Sequence, residues 1–123
     1  MDHLVRVLLA NRPRVLRTRL AKLLQLQSDI EVVGTVLDPI ELLSAVEDTQ
    51  ADVVVVTLPD SGEMPGICSH LLYEYPQLLI LVLSLAQTRA CLYRQVITVE
   101  QLSDTSDEGI LIAVRMAKAD SPS

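Results

Sequence analysis

Four consecutive valines, Val53–Val56, constrain the fold of this chain more than any other feature of its sequence. They lie in the run DVVVVTL, from Asp52 to Leu58, which is β-branched and shows no alternation with polar residues. A strand without a polar face must be covered by protein on both sides, which is typical of a central strand in a parallel sheet. We therefore expect a sheet with packed layers on both of its faces.

Shorter apolar runs alternate along the chain with stretches of helical spacing. Besides the valine run, four segments are predicted as strands: Leu4–Ala10, Ile30–Val36, Leu78–Leu83 and Arg94–Val99. Helices are predicted after Pro13, after the capping sequence Asp38-Pro39, at Ile67–Tyr75, and after a cap at Ser103 or Ser106. Only ten residues separate Ser84 from Gln95, which leaves room for a short fourth helix.

This alternation predicts the fold class. We expect an α/β, flavodoxin-like, doubly wound five-stranded parallel sheet of order 2-1-3-4-5, with helices on both faces and the fourth helix shortened. In such sheets ligands bind beyond the carboxyl ends of the strands, where the strand order reverses. The length of 123 residues suits a single domain over residues 1–119, followed by a disordered tail at 120–123.

Composition narrows the class of function. Half of the residues are hydrophobic, which argues against disorder, and the net charge of −6 argues against direct nucleic-acid binding. The charge is uneven, because residues 1–28 carry a net +5 and the remainder a net −11. The basic end is either a solvated helix face or a docking surface for an acidic partner or an anion. We expect a cytoplasmic protein with buried free thiols at Cys68 and Cys91, no signal peptide and no membrane span.

The skeleton resembles the receiver domain of response regulators. The segments that carry the resemblance are VRVLLANRPRVLRTRLAKLL, DIEVVGTVLDPIELLSAVE, ADVVVVTLPD and YPQLLILVLS, and together they cover about residues 4–84. The style is that of receivers that precede a helix-turn-helix output domain. The last third of the chain matches poorly.

The resemblance implies where a phosphorylation site would lie. A working receiver holds Mg²⁺ with an acidic pair after strand one and accepts a phosphoryl group on an aspartate that ends strand three. It also uses a Ser or Thr after strand four and a lysine after strand five. Here those positions fall on Asn11 and Arg12, on Thr57, on Ser84 and near Val96, and only Ser84 keeps the residue type of the family. The resemblance therefore implies a pseudo-receiver with no catalytic residues, no metal and no cofactor.

Arg12 changes the electrostatics of that position most. Two like unit charges at ~4 Å repel by roughly 4 kcal/mol at an effective dielectric of ~20, and a divalent ion doubles this. Arg12 could fill the vacant metal position and pair with Asp60 or Asp38, or it could bind an anion. Asp60, three residues beyond Thr57, leaves a displaced phosphorylation site as a remaining alternative. Tyr93 matches the aromatic switch position of the family, or is a half-buried tyrosine at the rim.

These features lead to an expected function. We expect no enzymatic activity, but a phosphorylation-independent module that binds protein in signal transduction or transcriptional regulation. Its partner would be a histidine kinase, a transcriptional regulator or a second copy in a homodimer, without direct contact to nucleic acid or membrane. The alternative is a sensor that binds a small anion or a nucleotide in a pocket formed by Asn11, Arg12, Thr57 and Ser84. A small enzyme is a third reading, disfavoured because no base–nucleophile pair is evident.

Overall fold

The computed structural model describes residues 4–11, 13–58, 66–84, 89–94 and 98–119. Within these ranges the helices and strands are β1 (Val5–Ala10), α1 (Arg14–Gln25), β2 (Ile30–Thr35), α2 (Pro39–Thr49), β3 (Val53–Thr57), α3 (Gly66–Glu74), β4 (Leu79–Leu83), β5 (Ala90–Arg94), β6 (Thr98–Gln101) and α4 (Asp107–Ala119). The tail predicted at 120–123 lies outside the described residues.

The described strands form one sheet of order β2-β1-β3-β4-β5-β6. β2, β1, β3 and β4 run parallel, so the predicted order and the flavodoxin-like class are confirmed for this part of the sheet. The four valines of β3 are at most 5% exposed, as a strand between two neighbours and two layers requires. β3 is therefore the central strand that its sequence predicts.

Helices cover both faces of the sheet, as predicted. On one face α1 and α4 bury apolar side chains that include Leu16, Leu20, Ile110 and Val114. On the other face α2 and α3 bury Leu42, Val46, Cys68, Leu71 and Leu72. The two core clusters contain alternate residues of the central strands, because successive side chains of a strand point to opposite faces.

Local chemistry sets the starts of two helices. Asp38 accepts a hydrogen bond from the backbone N–H of Ile40 at 2.9 Å, and Pro39 occupies the first turn of α2. The hydroxyl of Ser106 accepts from the N–H of Gly109 at 3.3 Å, which selects Ser106 over Ser103 as the cap of α4. Both predicted starts are thus found where the capping residues place them.

The chain beyond β4 differs from the prediction. We expected a short helix and then a parallel fifth strand over Arg94–Val99, but β5 covers Ala90–Arg94 and runs antiparallel to β4. β6 is antiparallel to β5, so the described sheet has six strands and is mixed. The reason is the connection: only residues 84–89 join β4 to β5. A parallel crossover needs a dozen or more residues, whereas a hairpin needs few.

An ion pair fastens α4 to the turn between α1 and β2. Arg115 donates to both carboxylate oxygens of Asp29, at 2.7 and 3.0 Å, and to the amide oxygen of Gln27 at 3.2 Å. This paired geometry lowers the pKa of Asp29, chiefly through the hydrogen bonds from Arg115.

Among the helices in these ranges, none is long and apolar enough to cross a membrane.

Candidate functional site at the carboxyl edge of the sheet

Three of the predicted site residues meet at one edge of the sheet. β1, β3 and β4 are parallel neighbours, so their carboxyl ends lie side by side. Asn11 follows β1, Thr57 ends β3 opposite Leu83, and Ser84 follows β4. The parallel order therefore brings the strand ends that carry these three residues to the same edge of the sheet.

Asn11 and Thr57 are joined by a direct hydrogen bond. The side-chain Nδ2 of Asn11 donates to the hydroxyl Oγ1 of Thr57 at 2.9 Å, and Asn11 is fully buried. The guanidinium of Arg17, one turn into α1, donates to the backbone carbonyl of Asn11 at 3.0 Å. Two neutral side chains are thus hydrogen-bonded to each other at the carboxyl ends of β1 and β3.

The Asn11 side chain is only half satisfied. Its Oδ1 is buried and has no hydrogen-bond partner among the described residues. A buried acceptor without a partner costs about 1–3 kcal/mol relative to water. The carboxyl edge therefore retains a polar side chain that an apolar core would not select.

Ser84 closes the hairpin that follows β4. Its hydroxyl accepts from the N–H of Arg89, and its own N–H donates to the carbonyl of Arg89, both at 2.9 Å. The one position that keeps the residue type of the family thus also serves the connection to the reversed strand. This use was not predicted from the sequence.

The reversal of β5 changes which residues of the last strands face the carboxyl edge. Arg94 pairs with Leu79, so the end of β5 lies at the amino end of β4, away from Thr57. Val96 lies outside the described residues. β6 returns the chain to the carboxyl edge, where the N–H of Leu102 donates to the carbonyl of Ala90 at 3.0 Å. The short link after Ser84 was the sequence signal for this change.

The remaining predicted site residues have separate outcomes. Arg12 and Asp60 lie outside the described residues, so the predicted pairing and anion pocket stay predictions. Tyr93 on β5 is half-buried against the core cluster of α2 and α3. Burial raises the pKa of its hydroxyl, with smaller contributions from Cys91 and Cys68. Its role as a switch is not tested by this packing.

The described donors do not fit Mg²⁺. At the ends of β1, β3 and β4 they are an amide and two hydroxyls, all neutral, whereas Mg²⁺ is held in proteins through one or two carboxylates. No group of three or more His, Cys, Asp or Glu residues within the described ranges is arranged to hold a metal ion. We therefore assign no step to a metal.

The two cysteines lie on the same side of the sheet as Tyr93 but within the core. Both are buried free thiols, as expected from the sequence. Burial raises the pKa of Cys68 to about 12, so its reactive thiolate is scarce at neutral pH. Cys68 therefore packs in the core between α3 and the sheet.

Comparisons with known proteins find similarity to response regulators. No protein-family model matches the chain. It is 28% identical over 116 residues to the oxygen regulatory protein NreC of Staphylococcus epidermidis, a match that covers 90% of this chain and 53% of that protein. The chain thus spans about half the length of this curated relative.

Solved structures share the fold at lower identity. The response regulator domain of Thermotoga maritima CheB superposes with a TM-score of 0.66 at 16% identity, covering 97% of this chain and 99% of that one. A LuxR-family two-component response regulator from Aurantimonas sp. gives 0.55 at 21% identity, covering 66% of this chain and 59% of that one. The RcsB response regulator of Salmonella typhimurium gives 0.57 at 23% identity, covering 68% and 44%.

Proposed function

Because this chain is related to the receiver domains of response regulators in fold and in sequence, we propose that it is a phosphorylation-independent receiver. It acts in signal transduction by binding another protein: a histidine kinase, a transcriptional regulator or a second copy. The proposal includes that the domain is not an enzyme, makes no direct contact with nucleic acid and acts in the cytoplasm.

The observation that carries the proposal is the hydrogen bond from Asn11 to Thr57. A hydroxyl cannot form the acyl phosphate that an aspartate forms. To act as a nucleophile itself, Thr57 would need a base, but the neighbour that bonds it here is an amide, which takes no proton. Among the described residues, the donors at this edge include none of the carboxylates through which proteins hold Mg²⁺.

The reversed β5 supports a changed partner geometry. In receivers the surface from the fourth to the last helix is the usual output surface. Here a hairpin follows β4, and β5 and β6 extend the sheet beyond β4. A partner that binds this side of the domain would contact strands at the place where receivers have a helix.

A phosphotransfer assay tests the proposal. The protein is incubated with acetyl phosphate and Mg²⁺, next to an unrelated working receiver as a positive control, and intact mass is recorded. We expect no added phosphate on this chain. Stoichiometric, acid-labile phosphate would contradict the proposal, and the variant Asp60→Asn would show whether the displaced site carries it.

The anion-sensor alternative gains no support from the described residues. Asn11 Oδ1, which has no hydrogen-bond partner in the described part of the chain, is an acceptor and requires a donor. A fully ionised anion offers no proton to it. The alternative stays a prediction that depends on Arg12.

A further inference from the structure

The exposed face of α1 combines an apolar side chain with cations. Val15 is 80% exposed and lies on the outward face of α1 beside Arg14, Thr18, Arg19 and Lys22. Arg19 pairs loosely with Asp107 at 3.9 Å. Arg14 and Lys22 make no ion pair within the described ranges. They lie eight residues apart, about 12 Å along a helix. We call this surface the basic face.

A groove of opposite charge lies elsewhere on the molecule. It holds about 400 Å³ at the amino ends of β3 and β4, between α2 and α3, and its carboxylates are Glu47, Asp52 and Glu74. None of the described residues that line it is a Lys, Arg or His. Asp52 accepts from the N–H of Arg6 at 2.9 Å, whereas Glu47 and Glu74 are exposed. We call this surface the acidic groove.

Tyr75 lies in the acidic groove and is close enough to these carboxylates to be affected by their charge. Its hydroxyl donates to the carbonyl of Leu43 at 3.0 Å and lies 3.5 Å from Oε1 of Glu47. Its pKa is raised first by burial and then by the charges of Glu47 and Glu74. A cation entering the groove would meet a negative potential and a partly apolar wall.

We propose that the basic face of one copy docks in the acidic groove of a second copy, with Val15 as the apolar anchor and Arg14 and Lys22 opposite Glu47 and Glu74. This deepens the proposed function, and rests on it, by naming the partner as the chain itself. The segregation of charge, net +5 in residues 1–28 and −11 in the rest, supplies the complementarity.

The placement of the two surfaces determines the kind of assembly. α1 packs on one face of the sheet, and the acidic groove lies between helices of the opposite face. The contact therefore joins different surfaces of the two copies. One copy keeps its acidic groove free, and the other keeps its basic face free. Such head-to-tail contacts continue beyond a dimer unless the rotation closes a ring.

Sedimentation equilibrium on the full chain, at concentrations up to about 1 mM, tests the proposal. We expect the average mass at low salt to rise with concentration past that of two copies. Raising the salt to about 0.5 M should weaken association on the order of tenfold, because exposed charges are screened beyond about 4 Å. A monomer at all concentrations, a closed dimer or association indifferent to salt would overturn the proposal.

Two neutralised variants make the test specific. Arg14→Gln with Lys22→Gln removes the basic face, and Glu47→Gln with Glu74→Gln removes the acidic groove. All four positions are exposed, so both proteins should fold, which thermal unfolding verifies. Each variant alone should associate at least about tenfold more weakly than the wild type.

Mixing the two variants gives the decisive result. Each retains one working surface, so an equimolar mixture should form a 1:1 dimer and stop there. Failure of the mixture to associate would overturn the proposal. A control, Glu31→Gln with Glu41→Gln, removes two exposed carboxylates outside the acidic groove and should associate like the wild type.

The outcome is separable from the proposed function. A chain that accepts phosphate and still forms head-to-tail assemblies refutes phosphorylation independence alone. A chain that stays unphosphorylated and monomeric refutes the self-docking alone.

Discussion

The hydrogen bond between Asn11 and Thr57 joins two neutral side chains at the carboxyl ends of β1 and β3. Asn11 is fully buried, and its Nδ2 depends on the hydroxyl of Thr57 while its Oδ1 has no partner among the described residues. The contribution of this hydrogen bond to the free energy of unfolding therefore depends on the presence of both residues. Removing one partner costs more than removing both, because an unpaired buried group keeps its desolvation cost.

We expect Thr57→Val to lower the free energy of unfolding by about 1–3 kcal/mol, since it leaves the whole Asn11 amide unpaired. Adding Asn11→Leu should recover most of this loss. Urea unfolding of the wild type, both single variants and the double variant measures the coupling. A double variant that loses the full sum of the single losses would show that the pair is not coupled.

At the scale of elements, Gly109 controls how α4 begins. A Cβ atom at this position would overlap the backbone carbonyl of Asp104, which lies in the turn that presents Ser106 as the cap. Helix propensity alone favours Ala over Gly by about 1 kcal/mol, so the steric effect must reverse the sign.

We expect Gly109→Ala to destabilise the protein by about 2 kcal/mol, measured by thermal or urea unfolding. Gly66→Ala at the start of α3 is the matched control, because no atom of the described residues lies within 4 Å of the added Cβ. That variant should be as stable as the wild type or up to about 1 kcal/mol more stable, because helix propensity acts there without a steric clash. A stabilised Gly109→Ala protein would refute the assigned overlap.

The ion pair of Asp29 with Arg115 predicts a pH dependence for the attachment of α4. Both side chains are more than a third exposed, so the pair contributes about 1 kcal/mol or less. The folded state lowers the pKa of Asp29 below 3.8. The ion pair therefore contributes its full stabilisation above about pH 3.8. This stabilisation is lost as the pH falls through the lower pKa that Asp29 has in the folded protein.

Unfolding of the wild type and of Asp29→Asn, compared across pH, measures this contribution. We expect the variant to be less stable near neutral pH and the difference to vanish in strong acid. A difference that stays constant with pH would show that the carboxylate charge is not its source.

How far the sequence predicts each element depends on how local its cause is. The start of α2 is readable because Asp38 and Pro39 act on the adjacent backbone. The clustering of Asn11, Thr57 and Ser84 can be predicted because all three lie at the carboxyl ends of neighbouring parallel strands. The hydrogen bonds of these side chains cannot be predicted from the sequence, since they depend on side-chain rotamers. The direction of β5 was missed because apolar patterning carries no strand direction; only the length of the 84–89 link does.

At the scale of the whole molecule, the two thiols report on global opening. Cys68 and Cys91 are buried on α3 and on β5, in different parts of the sheet assembly. A reagent can reach them only when that packing opens. Their reactivity therefore follows the stability of the domain and not a local site.

We expect a thiol reagent to modify the native protein at least about 10³-fold more slowly than the urea-unfolded chain, given ordinary domain stability. The comparison at pH 8, repeated on Cys91→Ala, isolates Cys68. Rapid stoichiometric labelling of Cys68 in the native state would show that α3 opens on its own.

The reversal of β5 also bears on folding kinetics. β4, β5 and β6 form a meander whose pairs are close in sequence, whereas β1 must find Val53–Val56 across a helix, a strand and a second helix. A hairpin closes in about 1–10 μs, and long-range parallel pairs form more slowly. The hairpin thus lowers the contact order of the carboxyl-terminal half of the domain and offers it a nucleus that a chain with a fourth crossover helix would lack.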